Sequence, residues 1–154
     1  MNRYLTFTLD ECYALNMDYI VEVIQYKPVT PVPETPSYIA GVINLRGTIV
    51  PVIDMRERFL KEPHRELSRR CILIIRFNDM LIGLLVDDNA DIEELDPEKL
   101  TAPPQVGSNY SHVFIKSIGI KDDGMILIID ADKLVHLDEL EVMDVPQIIE
   151  ETEG

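Results

Sequence analysis

The stretch IAGVINLRGTIVPVIDMRERF, residues 39–59, decides the fold of this chain. It contains two apolar runs, Ile39–Leu45 and Thr48–Ile53, which flank the dipeptide Arg46-Gly47. Two short apolar runs joined by a glycine-containing dipeptide are typical of a β-hairpin with a tight turn. The stretch therefore predicts a hairpin that carries a cationic side chain at its tip.

Two further residues of this stretch restrict how the hairpin ends. Pro51 has no backbone donor, so we expect it at an unpaired position of its strand or at a bulge. Asp54 follows the second strand and can accept a hydrogen bond from a first-turn N–H, which is the role of an N-cap. The pattern therefore predicts a short helix over Met55–Phe59 directly after the hairpin.

The other apolar runs predict further strands. Turn residues at 10–11 and at 78–79 indicate two more hairpins. Their strands are Tyr4–Leu9 with Cys12–Met17, and Cys71–Phe77 with Met80–Val86. The β-branched run Tyr19–Tyr26 favours a strand in which Glu22 is half-exposed. Lys27–Pro33 contains three prolines, and we therefore expect a rigid surface loop there.

The second half of the chain repeats the pattern of the first. The matched segments are 21–25 with 91–95, 30–33 with 101–104, and 42–53 with 117–129, and each half ends on an aspartate, Asp54 or Asp130. Neither half is large enough to bury a core alone, so the repeat predicts two similar β units packed together. We therefore expect an all-β fold of two pseudo-repeated β-barrels, with a short helix after each.

The boundaries of the two barrels follow from this repeat. We place the first barrel at about residues 1–66 and the second at about 67–140, with the basic connection 61–70 between them. An acidic tail, 141–154, follows and is assigned to solubility. An exchange of strands between the two halves remains open at this point.

Composition excludes several classes of function. The chain has 154 residues, of which 46% are hydrophobic, and its longest apolar runs are only as long as strands. We therefore expect a folded cytosolic protein without direct membrane insertion. The formal net charge of −14 repels phosphate backbones, so nucleic acid is not an expected partner.

One acidic stretch has the spacing of a calcium-binding loop. Asp87, Asn89, Asp91 and Glu98 fall at positions one, three, five and twelve of an EF-hand. Position six, where the sharp turn needs glycine, is Ile92. We therefore expect an ordinary acidic strand end and turn, and no metal.

Other residue types also lack the spacing of a catalytic, redox or metal site. The serines have no nucleophile motif around them, and the histidines and cysteines have no metal-ligand or disulfide pattern. These histidines and cysteines are His64, His112, His136, Cys12 and Cys71. We therefore expect no cofactor and no catalytic residues, and two reduced thiols.

The stretch 39–59 closely resembles the CheW family, the adaptors that couple chemoreceptors to the histidine kinase CheA in bacterial chemotaxis. The resemblance continues through YLTFTLDECYALNMDYIVEVI (4–24), Val32–Pro36 and MLIGLLVDDNADIEELDPEKL (80–100). It implies a single CheW-like domain over 1–154, built of two five-stranded SH3-like barrels, that acts as a scaffold without catalytic activity. It also implies a cytoplasmic protein, monomeric when free, that reaches membrane-associated receptor arrays through its partners.

Carried over residue by residue, the resemblance implies two binding surfaces. The receptor-facing positions, which would contact the chemoreceptor tip, are Ile20, Glu22, Val23, Gly41, Val42, Asn44, Arg46 and Gly47. The kinase-facing positions, which would contact a CheA-type kinase, are Val29, Pro31, Val32 and Ile39.

Structural and functional alternatives stand beside these assignments. Arg46 can be a solvent-exposed turn arginine worth less than about 1 kcal/mol to stability, and Glu22 can form a cross-strand pair with a nearby lysine or arginine. The chain can also be an adaptor of the same fold in a non-chemotaxis signalling array. A small β-barrel enzyme or ligand-binding protein is the alternative from another class, and a concave pocket with convergent titratable groups would favour it.

Overall fold

The computed structural model describes residues 1–59, 61–63, 70–103, 114–122 and 124–134. Several expectations lie outside these ranges: the acidic tail, most of the connection 61–70, and all three histidines. Among the described residues, no helix is long and apolar enough to cross a membrane.

Ten strands and two short helices make up the described chain. The strands are β1 Asn2–Leu9, β2 Glu11–Asn16, β3 Ile20–Gln25, β4 Ile39–Leu45, β5 Thr48–Asp54, β6 Cys71–Phe77, β7 Met80–Val86, β8 Asp88–Leu95, β9 Ile115–Lys121 and β10 Gly124–Ile129. The helices are α1 Met55–Arg58 and α2 Ala131–Leu134, and two 3-10 turns lie at Met17–Tyr19 and Pro97–Lys99. The predicted helix over Met55–Phe59 is thus confirmed, one residue shorter than expected.

The strands form two five-stranded sheets with equivalent topology. Sheet 1 has the order β8-β1-β2-β10-β9, and sheet 2 has the order β3-β6-β7-β5-β4. In both, two hairpins lie side by side through one parallel pairing, β2 with β10 and β7 with β5. The all-β fold of two five-stranded units is therefore confirmed.

Each sheet takes strands from both sides of residue 66. Strand β3 follows β2 in the chain but belongs to sheet 2, and β8 follows β7 but belongs to sheet 1. The chain therefore passes between the sheets twice, once through the 3-10 turn Met17–Tyr19 and once at Asp87. As a result, each sheet contains one outer strand that continues directly from the other sheet.

The predicted Arg-Gly turn is present between β4 and β5. Arg46 has φ 50° and Gly47 has φ 89°, and positive φ at both central residues matches the twist of a two-residue hairpin. The Gly47 N–H donates to the Asn44 side-chain oxygen at 2.8 Å. Asn44 therefore stabilises the turn that carries Arg46.

Pro51 occupies a position where no ladder hydrogen bond is lost. It lies opposite Val42 in the hairpin. The N–H and C=O of Val42 both bond to Thr30, on the other side of β4, at 2.9 Å. Pro51 is therefore paired with β4, at a non-hydrogen-bonded position and not at the expected unpaired position or bulge, and the pairing of β5 with β7 on its other side begins only at Val52.

The two capping aspartates have equivalent surroundings. Asp54 and Asp130 both accept first-turn N–H bonds through Oδ1, at 3.0 Å and 3.1 Å for the nearest donor. Their own N–H groups donate to the carbonyls of Tyr38 and Phe114, each at 2.8 Å. The Arg58 guanidinium carbon lies 4.0 Å and 4.7 Å from the ring centres of these two residues. The predicted repeat therefore extends to the loops before the second hairpins, and Arg58 joins them.

The main hydrophobic core lies between the sheets. Its buried residues come from strands of both, and rings link them: Phe7 stacks on Tyr13, Tyr13 contacts Phe59, and Phe59 stacks on Phe114. Two smaller clusters each lie within one sheet. The cluster in sheet 2 includes Ile43 and Leu85, and the cluster in sheet 1 includes Tyr4 and Ile128. Each sheet therefore packs on its own small core and shares a larger one.

A buried ion pair fixes the place where the chain leaves sheet 2 for sheet 1. Arg56 of α1 donates to both Asp87 oxygens, with the closest contact at 2.6 Å, and also to Asp10 at 2.5 Å. The hydrogen bonds to Asp87 raise the pKa of Arg56 above its ordinary value, against the opposing effect of burial. Arg56 is therefore charged at every working pH and holds elements of both sheets.

Candidate partner-binding surface

The tip of the β4–β5 hairpin presents an arginine that pairs with the opposite edge of its sheet. Arg46 has a side chain that is 71% exposed, and its Nη2 lies 2.5 Å from Oε1 of Glu22 on β3. Strands β3 and β4 are the two outer strands of sheet 2, so the ion pair requires the sheet to curl. The cross-strand alternative for Glu22 is thus realised, with Arg46 as the partner.

An open groove runs beside Glu22, between the two sheets. It has a volume of about 670 Å³, and β3 forms one wall through Ile20–Val23. The other side is formed by Leu5 of β1, Asp91 and Ile92 of β8, and Met17 between β2 and β3. Because Glu22 both lines the groove and pairs with Arg46, the groove and the hairpin tip are one continuous surface.

The groove exposes two apolar side chains that the predicted receptor-facing set does not include. Val21 and Ile92 are 46% and 47% exposed. Neither belongs to the predicted receptor-facing set, which includes only Ile20, Glu22 and Val23 from this region. The internal repeat could have indicated Ile92 as a site residue, because it aligns residues 91–95 with the receptor-facing residues of 21–25.

Gly41 and Val42, also predicted to face the receptor, are buried. Gly41 has φ 146°, and a Cβ built on it would lie 2.1 Å from the Thr30 carbonyl oxygen. Val42 pairs with Thr30 through its backbone. These two residues therefore hold the proline-containing segment, residues 27–33, against β4. The exposed members of the hairpin set are Asn44, Arg46 and Gly47.

The predicted kinase-facing positions differ in exposure. Pro31 is exposed, and Val29 and Val32 are half-buried. Ile39 is buried in the core between the sheets, where it supports its neighbours without presenting a surface. Val29 Cγ1 would lie 2.9 Å from a Cβ at Gly41, so this segment touches the base of the receptor-facing hairpin.

Most of the stretch with the spacing of a calcium-binding loop lies in strand β8. Asp88–Leu95 forms β8, whereas an EF-hand requires a loop between two helices. Asp87 accepts from Arg56. Across the ranges the structure covers, no group of three His, Cys, Asp or Glu side chains is placed to hold a metal ion.

The two cysteines lie in apolar surroundings. Cys71 is buried and Cys12 is half-buried, and no disulfide joins them. Burial raises the pKa of the Cys12 thiol, and the nearby Glu93 carboxylate adds to this effect. A thiol with a raised pKa is protonated at neutral pH and is a poor nucleophile.

The chain is similar to known proteins over almost its full length. The CheW-like domain family matches residues 3–139. The chemotaxis protein CheW of Thermotoga maritima is 34% identical over 136 residues, covering 86% of each chain, and that of Klebsiella aerogenes is 29% identical over 143 residues, covering 92% of this chain and 86% of the relative. The crystal structure of the scaffolding protein TtCheW from Thermoanaerobacter tengcongensis has a TM-score of 0.80 and 33% identity, with 88% of each chain covered.

Fold and surface together define the class of protein. An open groove with apolar walls and an exposed arginine at a tight turn suit the binding of another protein. The chain belongs to the CheW family of chemotaxis adaptors.

Proposed function

We propose that the protein is a non-enzymatic adaptor that couples chemoreceptors to a CheA-type histidine kinase in bacterial chemotaxis. The observation that carries the proposal is the groove between the sheets, which continues through Glu22 to Arg46 in a chain of this family. The adaptor is monomeric when free and works in the cytoplasm, at membrane-associated receptor arrays that it reaches through its partners.

The receptor tip, a helical hairpin, docks in the groove. An amphipathic helix binds a groove by burying an apolar stripe, and Val21, Val23 and Ile92 offer such a surface. Burial of apolar surface contributes about 25 cal/mol per Å². Apolar contact in the groove therefore supplies affinity, and the polar groups at its end fix the orientation.

Arg46 supplies that orientation. Its Nη2 donates one hydrogen bond to Glu22, and the guanidinium has five donors in a planar fork. The remaining donors can bind a carboxylate or helix-terminal carbonyls of the receptor in a forked geometry that lysine does not reproduce. Because Glu22 and the tight turn already orient the side chain, little entropy is lost when the receptor binds.

The kinase binds the proline-containing segment. Pro31 is exposed there, Val29 and Val32 are half-exposed, and the Thr30 bridge to β4 holds the backbone in place. A rigid, mainly apolar segment binds through burial and shape, so the contact depends little on salt. This segment contacts β4 at Gly41 and Val42, before the strand reaches its tip at Arg46, and both partners can bind at once.

Co-sedimentation tests the coupling directly. A receptor cytoplasmic fragment assembled on vesicles and purified CheA are mixed with and without the protein. We expect the kinase to pellet with the receptor vesicles only when the adaptor is present. Binding of the adaptor to the kinase alone, with no receptor-dependent pelleting, would contradict the function. If a kinase and receptor of a different signalling array pellet instead, the non-chemotaxis alternative holds.

A further inference from the structure

Strand β8 is irregular where it faces Thr6 of β1. Leu5 pairs with Ile92, but Phe7 pairs with Asn89, so two residues of β8, at positions 90 and 91, lie opposite one residue of β1. This two-to-one count is a β-bulge. A bulge leaves backbone groups without their usual ladder partners, and those groups need another hydrogen bond when they are buried.

Thr6 supplies that hydrogen bond with its side chain. Its hydroxyl lies 3.0 Å from both the N–H and the C=O of Asp91. The hydroxyl therefore accepts from the N–H and donates to the C=O of the same residue. Thr6 is 3% exposed, and its two hydrogen bonds to Asp91 are partly buried.

The bulge lies in the wall of the groove. Asp91 and Ile92 both line it, and the opposite wall contains a matching irregularity at Val21, where β3 shifts register against β6 between Ile20 and Glu22. A bulge bends its strand and redirects the following side chain. The direction of Ile92 therefore depends on how the bulge at Asp91 is held.

We propose that Thr6 is a positioning residue for the receptor groove, whose hydroxyl fixes the bulge at Asp91 and thereby aims Ile92 at the bound receptor helix. This role rests on the proposed function. Thr6 itself is buried behind the groove and does not line it. Valine has nearly the same shape as threonine and suits a buried strand position equally well. The positioning role therefore requires the hydroxyl of Thr6 and not merely the shape of its side chain.

Two substitutions at Thr6 separate the hydroxyl from the shape of the side chain. Thr6→Val keeps the shape and removes the hydroxyl, whereas Thr6→Ser keeps the hydroxyl. Thr8→Val is the matched control, because Thr8 lies on the same strand two residues further on and does not line the groove. Each full-length variant is titrated with a receptor cytoplasmic fragment and with CheA, and amide hydrogen exchange is followed at Asp91.

We expect Thr6→Val to weaken receptor binding by about fivefold, because holding Ile92 in its bound direction then costs up to the strength of one ordinary hydrogen bond. Kinase binding should stay at the wild-type value, and the Asp91 amide should exchange faster. Thr6→Ser and Thr8→Val should bind the receptor as the wild type does.

Other outcomes overturn the positioning role. Wild-type receptor affinity in Thr6→Val, whether or not Asp91 exchanges faster, would show that the hydroxyl does not shape the groove. An equal loss for receptor and kinase, or no rescue by Thr6→Ser, would leave only a general structural role. A wild-type protein that binds CheA but no receptor fragment would overturn the proposed function itself, and the positioning role with it.

Discussion

The Arg46 guanidinium lies 2.5 Å from the Glu22 carboxylate and joins the hairpin tip to the outer strand at the other edge of the same sheet. An exposed ion pair of this kind contributes less than about 1 kcal/mol to stability. Its consequence is instead geometric, because it places a forked cation at the end of an apolar groove. The remaining donors of Arg46 are then available to a partner that occupies the groove.

The groove itself should be sensitive to charge at Ile92. Ile92→Glu places a carboxylate on an apolar wall that also carries Asp91, so we expect receptor binding to fall by about tenfold or more. Ile120→Glu is the control, since Ile120 is an exposed isoleucine on the same sheet that does not line this groove. Isothermal titration with a receptor fragment measures both, and equal receptor losses for the two variants would place the contact elsewhere.

The buried pair of Arg56 and Asp87 should dominate the stability of the junction between the sheets. Asp87→Ala leaves a buried guanidinium without its bidentate acceptor, which costs about 3 kcal/mol or more. Glu11→Ala breaks an exposed contact to Lys61 and should cost less than about 1 kcal/mol. Urea unfolding gives both values, and similar small losses would mean that the Arg56 pair does not hold the sheets.

Gly41 should be intolerant of any side chain. Gly41→Ala forces a Cβ towards the Thr30 carbonyl oxygen, from a backbone conformation that suits glycine. We expect a loss of about 2 kcal/mol or more in the free energy of unfolding. Gly124→Ala is the matched control, because its Cβ would make only an ordinary contact at 3.8 Å. A wild-type melting temperature for Gly41→Ala would contradict the close packing of the proline-containing segment.

The kinase contact should respond to charge in the proline-containing segment. Val32→Glu introduces a carboxylate at a half-buried apolar position, and we expect weaker CheA binding with receptor binding retained. Added salt should have little effect on the wild-type complex, because the contact is apolar. Melting curves establish that the variant is folded. If salt abolishes the complex and Val32→Glu does not weaken it, the kinase binds another surface.

The local parts of the fold could be predicted from sequence, and the groove could not. Arg46-Gly47 and Asp54 act on their immediate neighbours, so short patterns were sufficient for the turn and the cap. The groove depends on Val21 and Ile92, which are distant in sequence but line the same groove because each lies on an outer strand that follows directly from the other sheet. The repeat indicated two similar units but carried no information on which unit the first hairpin of each half, β1–β2 or β6–β7, would join.

The same distinction explains why some predicted site residues are buried. The family resemblance identified Gly41, Val42 and Ile39 through the motif that contains them. Their burial follows from the Thr30 bridge and from the core between the sheets. Both of these are long-range contacts that a local pattern does not show.

The most direct test of the account is the affinity of one purified variant, Arg46→Ala, for the receptor fragment and for CheA. We predict a loss of about 2 kcal/mol in receptor binding, as for other interface anchors, with kinase binding and melting temperature unchanged. Arg46→Lys should recover only part of the loss, because an ammonium lacks the planar fork. Equal losses for both partners, or wild-type receptor affinity in Arg46→Ala, would contradict the assignment of Arg46 as the receptor-binding anchor.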